Sequence, residues 1–133
     1  MSINFNEIKI GNEYDRKELS AMWGYASHQA ISRGVITPAN SNIIVFFVTK
    51  IKQDNQTQYN DIIDEGNLYW EGEEKHGSDY RIVNSTDNKD IIHLFYREIH
   101  HTSFVYYGQI RLDHYKIHKD KPSFFVFKLI EVK

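Results

Sequence analysis

The segment "SFVYYGQIRL", residues 103–112, indicates most directly what kind of fold this chain forms. Its side chains fall into two alternating sets, Phe104, Tyr106, Gly108, Ile110 and Leu112 against Val105, Tyr107, Gln109 and Arg111. Successive side chains of a strand point to opposite faces of the sheet, so this period of two predicts a β-strand.

Three further segments extend the same prediction outward from this strand. "DIIHLFYRE" (90–98) precedes it and is joined to it by "IHHT" (99–102), which is short enough for a hairpin. "SFFVFKLIEV" (123–132) follows it as a third strand. "IIVFFVTKI" (43–51) is apolar at both parities, which is typical of a strand that is buried on both faces or strongly curved.

Short helices are predicted between these strands. In "YDRKELSAMWG" (14–24), Asp15 is an N-cap with Glu18 three residues later, the spacing of a capping box. Ser27 starts a second short helix in "SHQAISRG", and "SDYRIVNS" (78–85) contains at least one further helical turn. We therefore expect an α+β fold, residues 1–133 as a single domain, with a strongly curved antiparallel sheet or barrel and two or three short helices.

Composition limits the function classes. The 133 residues include no cysteine, which excludes disulfides and thiolate zinc sites. No signal-peptide pattern and no apolar run of membrane-spanning length is present, so the expected location is the cytoplasm. The net charge of −2 gives no overall attraction for nucleic acid, but cations concentrate in residues 97–121, which permits one positive surface.

One catalytic arrangement that the sequence suggests is a metal-dependent nuclease site. Asp61, Glu73 and Lys75 follow the order of metal-dependent restriction nucleases, in which two carboxylates hold Mg²⁺ and the lysine assists attack on phosphate. That chemistry needs the Glu-x-Lys pair on one strand, whereas here it stands in the glycine-flanked segment "EGEEKHG" (71–77). A binding domain is therefore preferred to an enzyme, and no cofactor is expected.

Metal binding by histidine is not expected either. His114 and His118 are four residues apart, which converges on a helix but separates them by about 13 Å on a strand. Because "LDHYKIHKD" continues the strand, we interpret both as surface histidines.

The adjacent aromatics Tyr69 and Trp70 point to opposite sides of an extended segment, so only one of them can belong to the core. The other faces the charged segment, with Tyr59, Asn60 and Asp61 expected nearby. Aromatic faces together with amide and carboxylate groups suit a flat ligand such as a nucleobase taken out of a duplex. An aromatic core beside a charged loop is the alternative interpretation.

The order of several motifs resembles a known bacterial family. "TQYND", "LYWEGEEKHG", "IHLFYRE" and "SFVYYGQI" succeed one another as in the SRA-like (SET- and RING-associated-like) readers of modified cytosine. Those readers occur in McrA-like HNH endonucleases and in the related C-terminal domain of restriction-type superfamily-two helicases. The resemblance covers roughly residues 10–132, but this sequence has Glu71-Gly72-Glu73 where the family has an x-Ser-Gln run.

The resemblance implies a non-catalytic DNA-binding domain of a restriction or phage-defence system. Such a domain reads a flipped, modified base, expected to be a modified cytosine in double-stranded DNA, and works with a nuclease or helicase effector. The implied base-binding residues are Tyr59, Asn60, Asp61, Tyr69, Trp70 and Glu71. The implied phosphate-binding residues are Lys75, His76, Arg81, Arg97 and Arg111. The alternatives are the Mg²⁺-dependent endonuclease and a protein–protein interaction module.

Overall fold

The computed structural model describes residues 3–51, 61–72, 77–99 and 101–130. Eight strands and two α-helices lie in these ranges, with a 3-10 helix at His28–Ile31. None of the described helices has the length and apolar character needed to cross a membrane. The elements are β1 Glu13–Tyr14, α1 Arg16–Met22, β2 Val35–Ile36, β3 Ile43–Ile51, β4 Ile62–Asp64, β5 Asn67–Glu71, α2 Asp79–Val83, β6 Ile91–Ile99, β7 Phe104–Lys116 and β8 Phe124–Leu129.

All the described strands belong to one sheet in the order β2-β3-β6-β7-β8-β5-β4, with β1 also paired to β7. The α+β prediction is confirmed, and so is the hairpin between β6 and β7. One pair departs from the antiparallel prediction, because β3 and β6 run parallel, with Ile43 opposite Ile91 and Ile51 opposite Ile99. Residues 52–90 separate these two strands, and a connection of that length allows a parallel return that a hairpin does not.

The sheet is strongly curved. Strand β7 is 13 residues long and pairs with β6 through its first half and with β8 through its second. The ladder shifts register between Leu94 and Phe95 and again between Leu112 and His114, as at β-bulges, which bend strands. The rings of Phe46 on β3 and Trp70 on β5 lie 4.7 Å apart although three strands separate them in the sheet. Within the described residues β2 and β4 end the sheet, so it is not closed into a barrel.

Two hydrophobic cores cover the two faces of the sheet. Strand β3 contributes to both, because Ile44, Phe46 and Val48 face one way and Val45 and Phe47 the other, which confirms its predicted burial on both faces. The inner core lies within the curve and consists of Val35, Ile44, Phe46, Val48, Leu68, Trp70, Ile82, Ile92, Leu94, Tyr96, Ile110, Phe125 and Phe127. The outer core consists of Ile3, Ile8, Tyr14, Leu19, Trp23, Ile31, Ile36, Val45, Phe47, Phe95, Phe104 and Tyr106.

The short helices start where the sequence predicts. The Asp15 carboxylate accepts a hydrogen bond from the Glu18 amide at 2.8 Å, and the Glu18 carboxylate accepts one from the Asp15 amide at 3.1 Å, so the capping box forms. The Ser27 hydroxyl accepts from the Gln29 amide, but the element that follows is a single 3-10 turn. Helix α1 buries Leu19 in the outer core, and Trp23, the C-cap residue of the helix, is buried in the same core.

Candidate nucleic-acid interface

The side chain of Asp61 ties together the two strand ends that carry the predicted base-binding residues. It is 4% exposed, and its Oδ1 accepts a hydrogen bond from the Glu71 amide at 3.0 Å. A buried carboxylate is costly unless it is hydrogen-bonded, and a charge-assisted bond to a backbone N–H is stronger than a neutral one. This bond therefore holds Asp61, which precedes β4, against Glu71, the last residue of β5.

Gly72 continues this arrangement toward α2. Its amide donates to the Ser123 carbonyl at 2.7 Å, which extends the pairing of β5 with β8 by one residue. A Cβ at position 72 would lie 2.8 Å from Oδ1 of Asp79 and 3.1 Å from Cε1 of Phe125. Any side chain would separate these groups, so glycine is needed here for close packing.

Tyr96 lies close enough to Asp61 for the carboxylate charge to act on its phenol, and Tyr107 contacts Tyr96. Their rings are 5.7 Å apart at an interplanar angle of 85°, and Tyr96 is buried with a hydrogen bond to the backbone of Ile63. Burial, followed by the charge of Glu98, raises the pKa of Tyr96 to about 12, and the charge of Asp61 contributes. Burial, followed by the charge of Glu98, also raises the pKa of Tyr107. Both phenols are therefore protonated at neutral pH, and each can donate and accept a hydrogen bond.

We call Asp61, Tyr96 and Tyr107 the tyrosine–carboxylate site. Tyr96 belongs to the inner core and Tyr107 packs against it, and a carboxylate beside two phenols combines the acceptors, donors and aromatic faces that suit a planar ligand with a hydrogen-bonding edge. Sequence reasoning did not select Tyr96 or Tyr107 as ligand-binding residues, although both stand in the motifs that carried the resemblance. The missing information was the register shift in the β6–β7 ladder, where Phe95 pairs with Tyr106 and Leu94 with Gly108, so that Tyr107 is the extra residue on β7.

Trp70 belongs to the inner core, and this corrects its expected role as a stacking surface. It is 6% exposed, and its ring lies 4.7 Å from that of Phe46, 5.6 Å from that of Phe125 and 6.3 Å from that of Phe127. These contacts occupy the indole on the inner face of β5. The prediction that only one of Tyr69 and Trp70 lies in the core is confirmed.

Tyr69 is half-buried on the opposite face of β5, where its ring lies 6.5 Å from that of Phe124 and nearly parallel to it. Glu71 shares this face by strand alternation and is also half-buried. Asp61 instead shares a face with Ile63, two residues later, and Ile63 packs against the inner core. The expected base-binding set is therefore divided between two faces, and Tyr59 and Asn60 lie outside the described residues.

Arg81 is held in an internal ion pair, which corrects its expected role in binding phosphate. Its Nε and Nη2 donate to the two carboxylate oxygens of Asp90 at 2.9 and 3.0 Å, and Nη2 also donates to the Ser41 carbonyl at 3.1 Å. The Asp90 side chain is 2% exposed, and its hydrogen bond raises the pKa of Arg81. This bidentate pair ties α2 to the start of β6.

Of the other expected phosphate-binding residues, the structure describes Arg97 and Arg111. Arg97 packs over Phe104 of the outer core, with Cζ 4.2 Å from the ring centroid. Arg111 is exposed on β7 opposite Lys128 of β8. Lys75 and His76 lie outside the described residues.

The endonuclease alternative gains no support from the described residues. Asp61 is buried and bonded to a backbone amide, and Glu73 and Lys75 lie outside the described ranges. Among residues that the structure describes, no three His, Cys, Asp or Glu side chains are grouped so that they could hold a metal ion.

The fold is similar to that of SRA domains. The SUVH5 SRA domain in complex with fully methylated CG DNA superposes with a TM-score of 0.68 at 15% identity, covering 98% of this chain and 94% of that one. Its complex with hemimethylated CG DNA gives a TM-score of 0.61 at 18% identity, with the same coverage. No protein-family model matches the sequence, and no curated protein does either. At these identities the likeness establishes an SRA-like fold.

Proposed function

We propose that this chain is a non-catalytic DNA-binding domain that recognises a modified, flipped base, with modified cytosine as the base, in a restriction or phage-defence system. The observation that carries the proposal is the likeness across 98% of the chain to SRA domains solved with methylated CG DNA. The motif order that resembles modified-cytosine readers, and the tyrosine–carboxylate site, support it independently.

The tyrosine–carboxylate site supplies the groups that a flipped base requires. A base removed from the duplex loses stacking and pairing, and the protein must replace both. Tyr107 is half-buried, so we assign its ring to stacking, together with Tyr59. A carboxylate has about four acceptor positions, and we assign Asp61 to accept from the exocyclic amine while it holds the Glu71 amide.

The charge distribution is consistent with a base reader that makes few phosphate contacts. The net charge is −2, and Arg81 is committed to Asp90. We assign Lys75, His76 and Arg111 to phosphates, about three contacts in all. The logarithm of the binding constant should then fall with the logarithm of salt concentration with a slope of about −3, well below that of binders dominated by phosphate contacts.

A panel of short duplexes tests the proposal. The duplexes carry cytosine, 5-methylcytosine, 5-hydroxymethylcytosine, glucosylated hydroxymethylcytosine or N6-methyladenine, and binding is followed by fluorescence anisotropy. We expect one modified cytosine to bind at least tenfold more tightly than the unmodified duplex. Tyr107→Ala should weaken that binding by roughly 5- to 150-fold, the loss of one base–aromatic stack of about 1–3 kcal/mol.

Tyr115→Ala is the matched control, because Tyr115 is a 45% exposed tyrosine of the same strand outside the site. Equal affinity for all five duplexes, or equal losses in the two variants, would overturn the assignment. Nicking of modified plasmid with Mg²⁺ that disappears in Glu73→Ala would establish the endonuclease instead. A protein that binds none of the duplexes would point to the interaction module.

A further inference from the structure

Two arginines contact the same aromatic ring, Phe104, on the outer face of the sheet, and the charge of one acts on the other. Cζ of Arg97 on β6 lies 4.2 Å from the ring centroid of Phe104, and Cζ of Arg16 on α1 lies 5.1 Å from the same centroid. Cζ of Arg16 is also 4.7 Å from the centroid of Phe47. Both aromatic rings belong to the outer core, so rigid side chains support both guanidinium groups.

The hydrogen bonds of Arg16 go to backbone carbonyls. Its Nε donates to the Ile31 carbonyl at 2.9 Å, and its Nη2 donates to the Arg33 carbonyl at 3.4 Å. These bonds fix the orientation of the guanidinium against the 3-10 helix and the segment that follows it. They use two of its five N–H groups and neutralise none of its charge.

Arg97 is held in the same way. Its Nε donates to the Thr49 hydroxyl at 2.8 Å, and its Nη1 donates to the Thr102 carbonyl at 2.9 Å. Within the described part of the chain, neither arginine forms an ion pair with a carboxylate. Three N–H groups of each guanidinium thus remain beyond these bonds.

The carboxylates next to these arginines in sequence are engaged elsewhere. Asp15 and Glu18 accept each other's amides in the capping box of α1. Glu98 pairs with Lys50 at 3.7 Å, and its charge raises the pKa values of Tyr96 and Tyr107. Glu98 therefore lies on the same face of the sheet as these tyrosines and not on the face of the two arginines. The two cations therefore stand together without the counter-charge that their sequence neighbours would suggest.

The pKa values of both arginines show that this arrangement is electrostatically unfavourable. Burial and the charge of Arg97 lower the pKa of Arg16 to about 10, and burial lowers the pKa of Arg97. Both remain protonated at neutral pH. Half-buried like charges near each other raise the free energy of the fold, and a bound anion would remove that cost.

We propose that Arg16 and Arg97 form a binding site for a phosphate group on the outer face of the sheet. Guanidinium groups match phosphate oxygens with two parallel N–H donors each, and stacking on Phe104 and Phe47 fixes their planes before binding. The phosphate belongs either to a nucleic-acid backbone or to a free phosphorylated molecule. This inference does not depend on base recognition, because the site uses other residues on the other face.

The test is an NMR titration of the full chain with inorganic phosphate at constant ionic strength, observing the Nε–H signals of Arg16 and Arg97. We expect saturable shifts of both signals and at least tenfold weaker binding in Arg97→Gln. Lys17→Gln is the matched control, because Lys17 is the exposed neighbour of Arg16 on α1, and its binding should equal that of the wild type. Arg97→Lys serves as a second variant if Arg97→Gln does not fold, and it should also bind more weakly because lysine lacks the two-donor fork.

Further titrations identify the source of the phosphate and separate this site from the base site. Thymidine monophosphate and an unmodified duplex are compared with unphosphorylated thymidine, which should cause no shift. Binding of the monophosphate supports a free ligand, and arginine-dependent binding of the duplex alone supports a backbone phosphate. Tyr107→Ala should leave the shifts that inorganic phosphate causes at Arg16 and Arg97 unchanged. Absence of saturable shifts with all the phosphate probes, or full binding by Arg97→Lys, would overturn the proposal.

Discussion

Replacing Trp70 with alanine should lower the free energy of unfolding by about 3–5 kcal/mol. The indole is 6% exposed and lies between Phe46 of β3 and Phe125 of β8, so its removal leaves a cavity where strands from opposite sides of the curve meet. Truncation of a buried Trp or Phe to alanine costs this amount because apolar contacts are lost and the cavity does not fully collapse. Natural domains are stable by about 5–15 kcal/mol, so the variant should lose a large part of its stability.

Tyr69→Ala is the control, since it truncates the adjacent aromatic on the opposite face of the same strand. Tyr69 is half-buried, and its ring contact with Phe124 has a centroid distance of 6.5 Å. We expect a loss of about 1 kcal/mol from one aromatic pair and partial burial. Urea unfolding of both variants can be followed by the fluorescence of Trp23, which is buried in the outer core and unchanged in each.

The outcome separates a core residue from a ligand-stacking residue. Equal urea midpoints for the two variants would contradict the assignment of Trp70 to the inner core. A Trp70→Ala protein with wild-type stability that no longer bound modified DNA would restore the stacking role that the sequence suggested. A change in the urea slope would instead indicate an altered denatured state and would require a Trp70→Phe comparison.

Three further predictions concern stability. Burial lowers the pKa of His93, whose Nδ1 lies 2.7 Å from the Tyr106 hydroxyl, to about 4. As the pH falls, the unfolded chain takes up the proton first, so the free energy of unfolding should be constant above pH 6.5 and fall by about 3 kcal/mol down to pH 4. Urea midpoints measured across this range would show the fall, and His93→Gln should flatten it. Gly72→Ala should cost about 1–3 kcal/mol, because its Cβ would lie 2.8 Å from Oδ1 of Asp79; a thermal midpoint equal to the wild type would contradict the close packing. Asp15→Ala should cost about 1 kcal/mol through loss of the α1 cap, measured by urea unfolding, and Asp15→Asn should retain most of it.

The local features of the fold could be predicted from the sequence because their causes lie within a few residues. The alternation in residues 103–112 identified β7, and the Asp15 and Glu18 spacing identified the start of α1. The apolar run at 43–51 identified a strand with both faces covered. In each case the deciding interaction, a cap or a period, involves neighbours in sequence.

The partners of the candidate functional residues could not be predicted in this way. Arg81 was expected to bind phosphate, but Asp90 and the Ser41 carbonyl hold it, and the latter is 40 residues away. Arg97 was expected to bind phosphate around the flipped nucleotide, but Thr49, 48 residues earlier, holds it on the outer face. Tyr107 was not selected, because a register shift between β6 and β7 determines where its ring lies, and alternation along one strand does not reveal such a shift.

The sequence by itself determined that strands carry this protein, where its helices begin, and that Tyr69 and Trp70 face opposite ways, because dihedral periodicity and capping act over a few residues. Only the tertiary structure decided which of the two aromatics is core, that β3 and β6 run parallel, and which arginines retain N–H groups for a ligand. These outcomes depend on which distant segments pack together. That choice is made by the burial of both faces of a curved sheet, which no short stretch of sequence specifies.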